Sequence, residues 1–149
     1  MVKIHVPGDG HTAPPPDSVA TYNPYTDNAK KRVVEDALFI LKNNVSGMAS
    51  CNDCFKLLPN GRTFADILDD DSIYICYDPS DRWCANTLGT NHITINEYTI
   101  SRGRWLVAAT LVHEFAHING ASASDHRAEA TLPPCGMGAD GLYDPSIIG

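Results

Sequence analysis

Residues 112–120 read VHEFAHING, which places His113 and His117 four apart with Glu114 directly after the first. On a helix that spacing puts both imidazoles on one face, one turn apart, where each can reach one metal ion at about 2.0–2.1 Å. Glu114 then approaches water on that metal from the side, as a general base does before it carries the proton to a leaving amine. The competing reading is an exposed or internally paired helix that holds no metal. The flanks favour the first. RWLVAATLVHEFAHIN is apolar nearly all round, which predicts a buried central helix between Gly103 and Gly120. Gly120 stands where a helix C-terminus favours a left-handed residue. Unpaired ionisable groups in a core cost several kcal/mol, so His113, Glu114 and His117 need a joint role there.

A catalytic zinc takes three protein ligands and keeps one position open. The metzincin spacing HExxHxxGxxH would put the third histidine at 123, but that residue is Ala123. Downstream, ASASDHRAEATLPPCG offers Asp125, His126 and Glu129 near the start of a second short helix that Ser122 or Ser124 would cap. Asp125 and Glu129 share a helical face, so one can bind metal while the other orients a ligand.

Other elements must position these groups. Residues 1–25, with PGDG, APPP and YNPYTDN, read as a linker or leader before a domain over 26–149. A first helix is expected from a Thr26 or Asp27 cap to about Asn44, with Val34, Leu38, Leu41 and Val45 facing the core. SIYICYD and HITINEY alternate as strands and predict an antiparallel pair joined by the polar loop PSDRWCANTLGTN. Asp69, Asp70 and Asp71 lack the spacing of a calcium loop and read as solvated. The expected architecture is α+β: a small antiparallel sheet over the active-site helix, a first helix, and a C-terminal ligand-bearing helix.

Composition narrows the partners. The chain has 149 residues, a formal charge of −7 and no Lys/Arg cluster beyond Lys30, Lys31 and Arg32, which argues against nucleic acid as a partner. No apolar run approaches the ~20 residues of a membrane span, and the N-terminal stretch lacks the apolar centre of a signal peptide. Five cysteines suggest disulfides and an oxidising compartment, with Cys76–Cys84 closing a loop as the favoured pairing. The CxxC of Cys51 and Cys54 lacks the second pair of a zinc ribbon.

TLVHEFAHINGASASDHRAEA resembles the aspzincins, the deuterolysin and lysine-specific metalloendopeptidase group, whose HExxH is followed by a metal-binding aspartate within GTxxDxxYG. The likeness spans roughly residues 70 to 132. It implies a zincin-like fold and zinc-dependent hydrolysis of peptide bonds. His113, His117 and Asp125 would be the ligands and Glu114 the base, with Glu129 or His126 as alternative third ligands. The family's catalytic tyrosine is replaced by Ala128, so His126 or Tyr143 would have to stabilise the oxyanion. The chain is also similar to bacterial toxin domains of this peptidase class. That likeness implies delivery to a periplasm or the outside and a cognate immunity or inhibitor protein; a secreted protease is the rival setting. A non-catalytic zinc-binding interaction module and a zinc amidohydrolase acting on non-peptide amides remain the alternatives.

Overall fold

The computed structural model describes residues 1–12, 21–80 and 85–137. The fold is α+β, built on a mixed four-stranded sheet with helices on one face. In chain order the elements are β1 (Lys3–Ile4), α1 (Asn28–Ile40), α2 (Ala49–Lys56), α3 (Phe64–Leu68), β2 (Tyr74–Asp78), β3 (Ala85–Leu88), β4 (His92–Asn96), α4 (Glu97–Ser101), α5 (Arg104–Ile118) and α6 (Arg127–Ala130).

The sheet order is β1-β2-β4-β3, with β1–β2 and β2–β4 parallel and β3–β4 antiparallel. The expected antiparallel pairing of SIYICYD with HITINEY is therefore corrected: those two strands run parallel, Tyr74 opposite His92 and Asp78 opposite Asn96. Parallel neighbours need a crossover rather than a hairpin. Here the chain between them contributes β3, a strand of polar residues on the sheet edge that the sequence presents as loop. The second strand is also shorter than expected. It ends at Asn96, whose side chain accepts from the Thr99 amide at 3.1 Å and starts α4.

Alternation along the strands divides the sheet into two faces. Ile75, Ile93, Ile95 and Ala85 enter the main core with Val34, Leu38 and Leu41 of the first helical region and Val107, Leu111 and Phe115 of α5. Tyr74, Cys76 and Tyr22 form a separate cluster on the opposite face. That second face is covered by the stretch read as a leader. His5 and Tyr22 are buried, the His5 amide donates to Ile75 O at 2.9 Å, and Thr94 Oγ1 donates to Thr21 O at 2.7 Å, while Val2 and Tyr25 join the main core. Residues 1–12 and 21–25 thus belong to the packed domain.

The first helix begins as expected, Asp27 capping the Lys30 amide at 3.1 Å. It runs to Ile40 and continues as one π-helical turn, Leu41–Val45. Lys30 Nζ stands 2.9 Å from Glu97 Oε2, to which the Tyr77 hydroxyl also donates at 2.6 Å, fastening α1, β2 and α4 together. Among the described residues no helix is long and apolar enough to cross a membrane.

Candidate functional site

The site is built on α5, whose residues from Val107 to Ala116 are all buried. His113 and Glu114 have no exposed surface, while His117 is half-buried. The two imidazole Nε2 atoms stand 3.0 Å apart. Two nitrogens bound tetrahedrally to one zinc at ~2.0–2.1 Å would stand about 3.3 Å apart, so the pair is spaced close to what one ion requires.

The end of the helix orients one of them. The Gly120 amide donates to His117 O at 3.0 Å and the Ala121 amide to Ala116 O at 2.9 Å, a Schellman closure with Gly120 at φ +94. A Cβ at Gly120 would meet Pro59 Cβ at 3.0 Å and Asn60 Oδ1 at 3.1 Å, so both backbone conformation and space demand glycine. The closure brings Ala121 O within 2.8 Å of His117 Nδ1. A carbonyl only accepts, so Nδ1 carries the proton and Nε2 keeps its lone pair, the tautomer a metal ligand needs.

Glu114 is anchored from the sheet. Its Oε2 accepts a short hydrogen bond from Thr87 Oγ1 on β3. Its Oε1 is buried with no hydrogen-bond partner among the described residues. Burial pushes this carboxyl up to about 8; the Thr87 hydrogen bond opposes the shift and the charge of Glu129 adds to it. Sequence reasoning missed Thr87, because nothing in ANTL marks an edge strand over the helix. It also missed Asn119. Buried at the end of α5, Asn119 donates to Phe55 O and Arg62 O, both at 2.8 Å, and accepts from the Arg62 amide at 3.1 Å. This clamp fixes the α2–α3 connection under the helix terminus.

The candidate third ligands share the exposed stretch leading into α6. Asp125 is exposed, and its Oδ1 accepts from the Arg127 amide at 3.1 Å. His126 is exposed in the left-handed region at φ 58, and its own backbone position precedes α6, where no side chain caps the helix. The caps expected from Ser122 or Ser124 are not made; these hydroxyls pair with each other at 2.9 Å. Glu129 is half-buried on α6, its Oε2 3.8 Å from His126 Nδ1, and is the one of the three whose charge is felt at Glu114. Among the described residues no three His, Cys, Asp or Glu side chains are drawn together around one point. What the described residues do present is the His113–His117 pair, Nε2 to Nε2, with Asp125, His126 and Glu129 not drawn up to it. Tyr143, expected as an oxyanion donor, lies outside the described residues.

The cysteines pair differently from the expectation. Cys51 of α2 is bonded to Cys135, just beyond α6, while Cys76 is a buried free thiol and Cys54 a half-buried one. The Cys76–Cys84 pairing is therefore corrected: Cys76 is on a strand whose face packs against Tyr22, and Cys84 lies outside the described residues. The CxxC falls on a helix, where one member points to the core and the other partly outward.

No protein-family model matches the chain, and neither the curated proteins nor the solved structures contain a match to it.

Proposed function

We propose that the chain is a zinc-dependent peptidase. The observation that carries this reading is the orientation of His117 by Ala121 O, which turns its Nε2 toward that of His113, beside a buried glutamate with one unoccupied oxygen. Zinc is the ion suited to two imidazoles and a carboxylate, and when bound it supplies a Lewis acid for the scissile carbonyl and an acidified water.

The chain's own residues account for the rest. His113 and His117 hold the ion from one helical face. Thr87 keeps Glu114 Oε2 fixed, leaving Oε1 free to take a proton from water and pass it to the leaving nitrogen. The raised proton affinity that burial gives Glu114 suits a group that must accept a proton near neutral pH. Glu129 is the third ligand we favour, because it is half-buried on α6, which packs on α5, whereas Asp125, which the family resemblance implies, is exposed with Oδ1 held by the Arg127 amide. As the antiparallel edge of the sheet, β3 has one backbone side unpaired among the described residues and carries Thr87, which suits an extended peptide laid beside the base. The zincin-like arrangement of edge strand, site helix and ligand helix belongs to the same proposal. The Cys51–Cys135 bridge is compatible with an oxidising compartment, the setting of a secreted protease or of an effector delivered to a periplasm.

The test pairs metal analysis with turnover. Protein purified without added metal should hold about one zinc per chain, and it should cleave members of a mixed peptide pool read by mass spectrometry. Glu114→Gln should keep the zinc and lose the cleavage. Unchanged zinc content in His113→Ala and His117→Ala would refute the site, and loss of zinc in Glu114→Gln would refute the role given to the glutamate.

A further inference from the structure

On the sheet face away from α5, three imidazoles gather around a single carboxylate. His5 Nδ1 stands 2.8 Å from Asp9 Oδ2, the His5 and His11 ring centroids are 5.0 Å apart, and those of His11 and His92 are 4.9 Å apart. His11 lies flat on Tyr74 of β2 at 3.8 Å, and Tyr22 meets the edge of His92 at 6.1 Å. The Nε2 atoms of His11 and His92 are both buried with no hydrogen-bond partner among the described residues. We propose that residues 1–12 are an acid-released latch, docked over the β2 edge and outer face while His11 and His92 are neutral and freed when those two rings take up protons.

The geometry supplies the reason. A neutral imidazole tolerates a buried, unpartnered nitrogen; an imidazolium would carry an unpaired N–H and a positive charge there, beside a second ring in the same state. The Asp9 charge favours the His11 imidazolium but is outweighed by burial and the two neighbouring rings, and its oxygens are already bonded, one to His5 and the Val6 amide at 2.9 Å and the other to the His11 amide at 2.9 Å. The remaining ionisable groups on this face do not supply a counter-charge. Cys76 is buried with its thiol pushed up to about 12 by burial and by the nearby Asp9 charge. Asp78, at the far end of the face, holds the Ser80 amide at 2.8 Å and the Thr21 amide at 3.5 Å. Along the open rim, Lys3, Lys31 and Glu35 border a groove of about 390 Å³ with Asp9 and Tyr74, and two of the three are cations.

The sign follows from both rings. Burial, first, and neighbouring imidazoles hold His11 below the ordinary histidine range, and burial, first, and His5 do the same to His92 against a hydrogen bond to the Thr12 backbone. Released rings titrate near ~6.5, so docking is at full strength above that pH and weakens as pH falls below it. What would be lost is specific: Val2 N to Leu68 O at 2.8 Å, Lys3 N to Ile73 O at 2.9 Å and His5 N to Ile75 O at 2.9 Å. The edge is then bare from Ile73 to Ile75, while Asn23 still pairs with Tyr77.

Hydrogen exchange on the full chain, expressed as protection factors from pH 7.5 to 5, tests the latch. Protection of the Val2, Lys3 and His5 amides should fall at least about tenfold between pH 7 and pH 5, while the α5 amides keep theirs. His11→Gln and His92→Gln, each measured alone, should flatten that fall. A pH-independent protection in the unaltered chain overturns the proposal, whether or not the variants fold. So does an equal fall in both variants, or release of the segment at pH 7.5 by a chelator, which would make a metal rather than neutral rings the tie.

Discussion

Breaking the Cys51–Cys135 bond should affect both stability and metal affinity, and the size of the first effect follows from the chain. The bridge joins residues 84 apart in sequence. Closing a loop of that length removes denatured-state entropy worth about 4–5 kcal/mol at 25 °C on the chain-entropy account. For a domain of this size each kcal/mol moves Tm by about 2–4 °C, so reduction should lower it by roughly 8–20 °C. Both sulfurs are fully buried, so reductant will act mainly on chains that have already opened. The comparison is therefore made by calorimetry with and without enough reductant to keep unfolded chains reduced, together with the Cys51→Ala/Cys135→Ala variant. The second effect is local. Cys135 follows α6 closely and ties it to α2, with Ser50 Oγ donating to Pro134 O at 2.6 Å and Arg127 Nη2 to Leu57 O at 2.8 Å as further ties. Freed of the bridge, the stretch bearing Glu129 should hold a third donor less firmly, and zinc affinity should fall while His113 and His117 stay in place. Alkylation before and after reduction, with peptide mapping, confirms the pairing. A Tm change below about 3 °C would mean that the unfolded chain is already compact, or the bridge strained, and would sink the reasoning.

Three further outcomes are expected. Zinc titrations of Glu129→Ala and Asp125→Ala, run side by side, should show the larger loss of affinity in Glu129→Ala; the reverse order would return the third position to the aspartate that the family resemblance implies. Thr87→Val removes the hydroxyl that donates to Glu114 Oε2 and should destabilise the metal-free protein by about 1–3 kcal/mol in denaturant melts, whereas Thr87→Ser should stay within about 0.5 kcal/mol of the parent; equal behaviour of the two would deny the hydroxyl its role. Gly120→Ala, forced into positive φ and against Pro59, should cost about 2–4 kcal/mol by the same melts, and a loss under 1 kcal/mol would show that the helix end relaxes freely.

How much of this was readable beforehand depended on whether the signal was local. The site helix was legible because its apolar run is long, bounded by Gly103 and Gly120, and interrupted only by His113, Glu114 and His117 and a few small polar residues. The Asp27 cap was legible for the same reason: an aspartate before an amphipathic run satisfies an orphan amide within three residues. Strand direction was not local. Ile73, Ile75 and Tyr77 alternate identically whether the neighbour runs up or down, and only the insertion of β3 forces the parallel pair. Thr87 and Asn86 are polar because an edge strand is half exposed, and polar residues beside Gly89 imitate a loop. Asn119 acts through partners more than fifty residues upstream, and Cys51 finds Cys135 across most of the domain, so neither is written in any spacing. The third ligand was ambiguous for another reason. Asp125, His126 and Glu129 fall within five residues, and spacing alone does not show that the backbone turns left-handed at His126, leaving Asp125 and His126 exposed and Glu129 half-buried on α6.

The Cys51–Cys135 bond also makes most of the domain a closed covalent ring. The ring runs through α3, all strands but β1, and the helices α4, α5 and α6, with residues 1–50 attached as a tail. A single backbone cut inside it releases nothing. Both new ends stay joined through the bridge, and the packed interior keeps them in register. Among the described residues, the exposed stretches around Gly89 and along 122–127 both lie within the ring. Nicked at either place, the bridged chain would remain one molecule. Where the bridge is reduced, the same nick would shed the segment that follows it, so the redox state of the surroundings would set how long the molecule lasts.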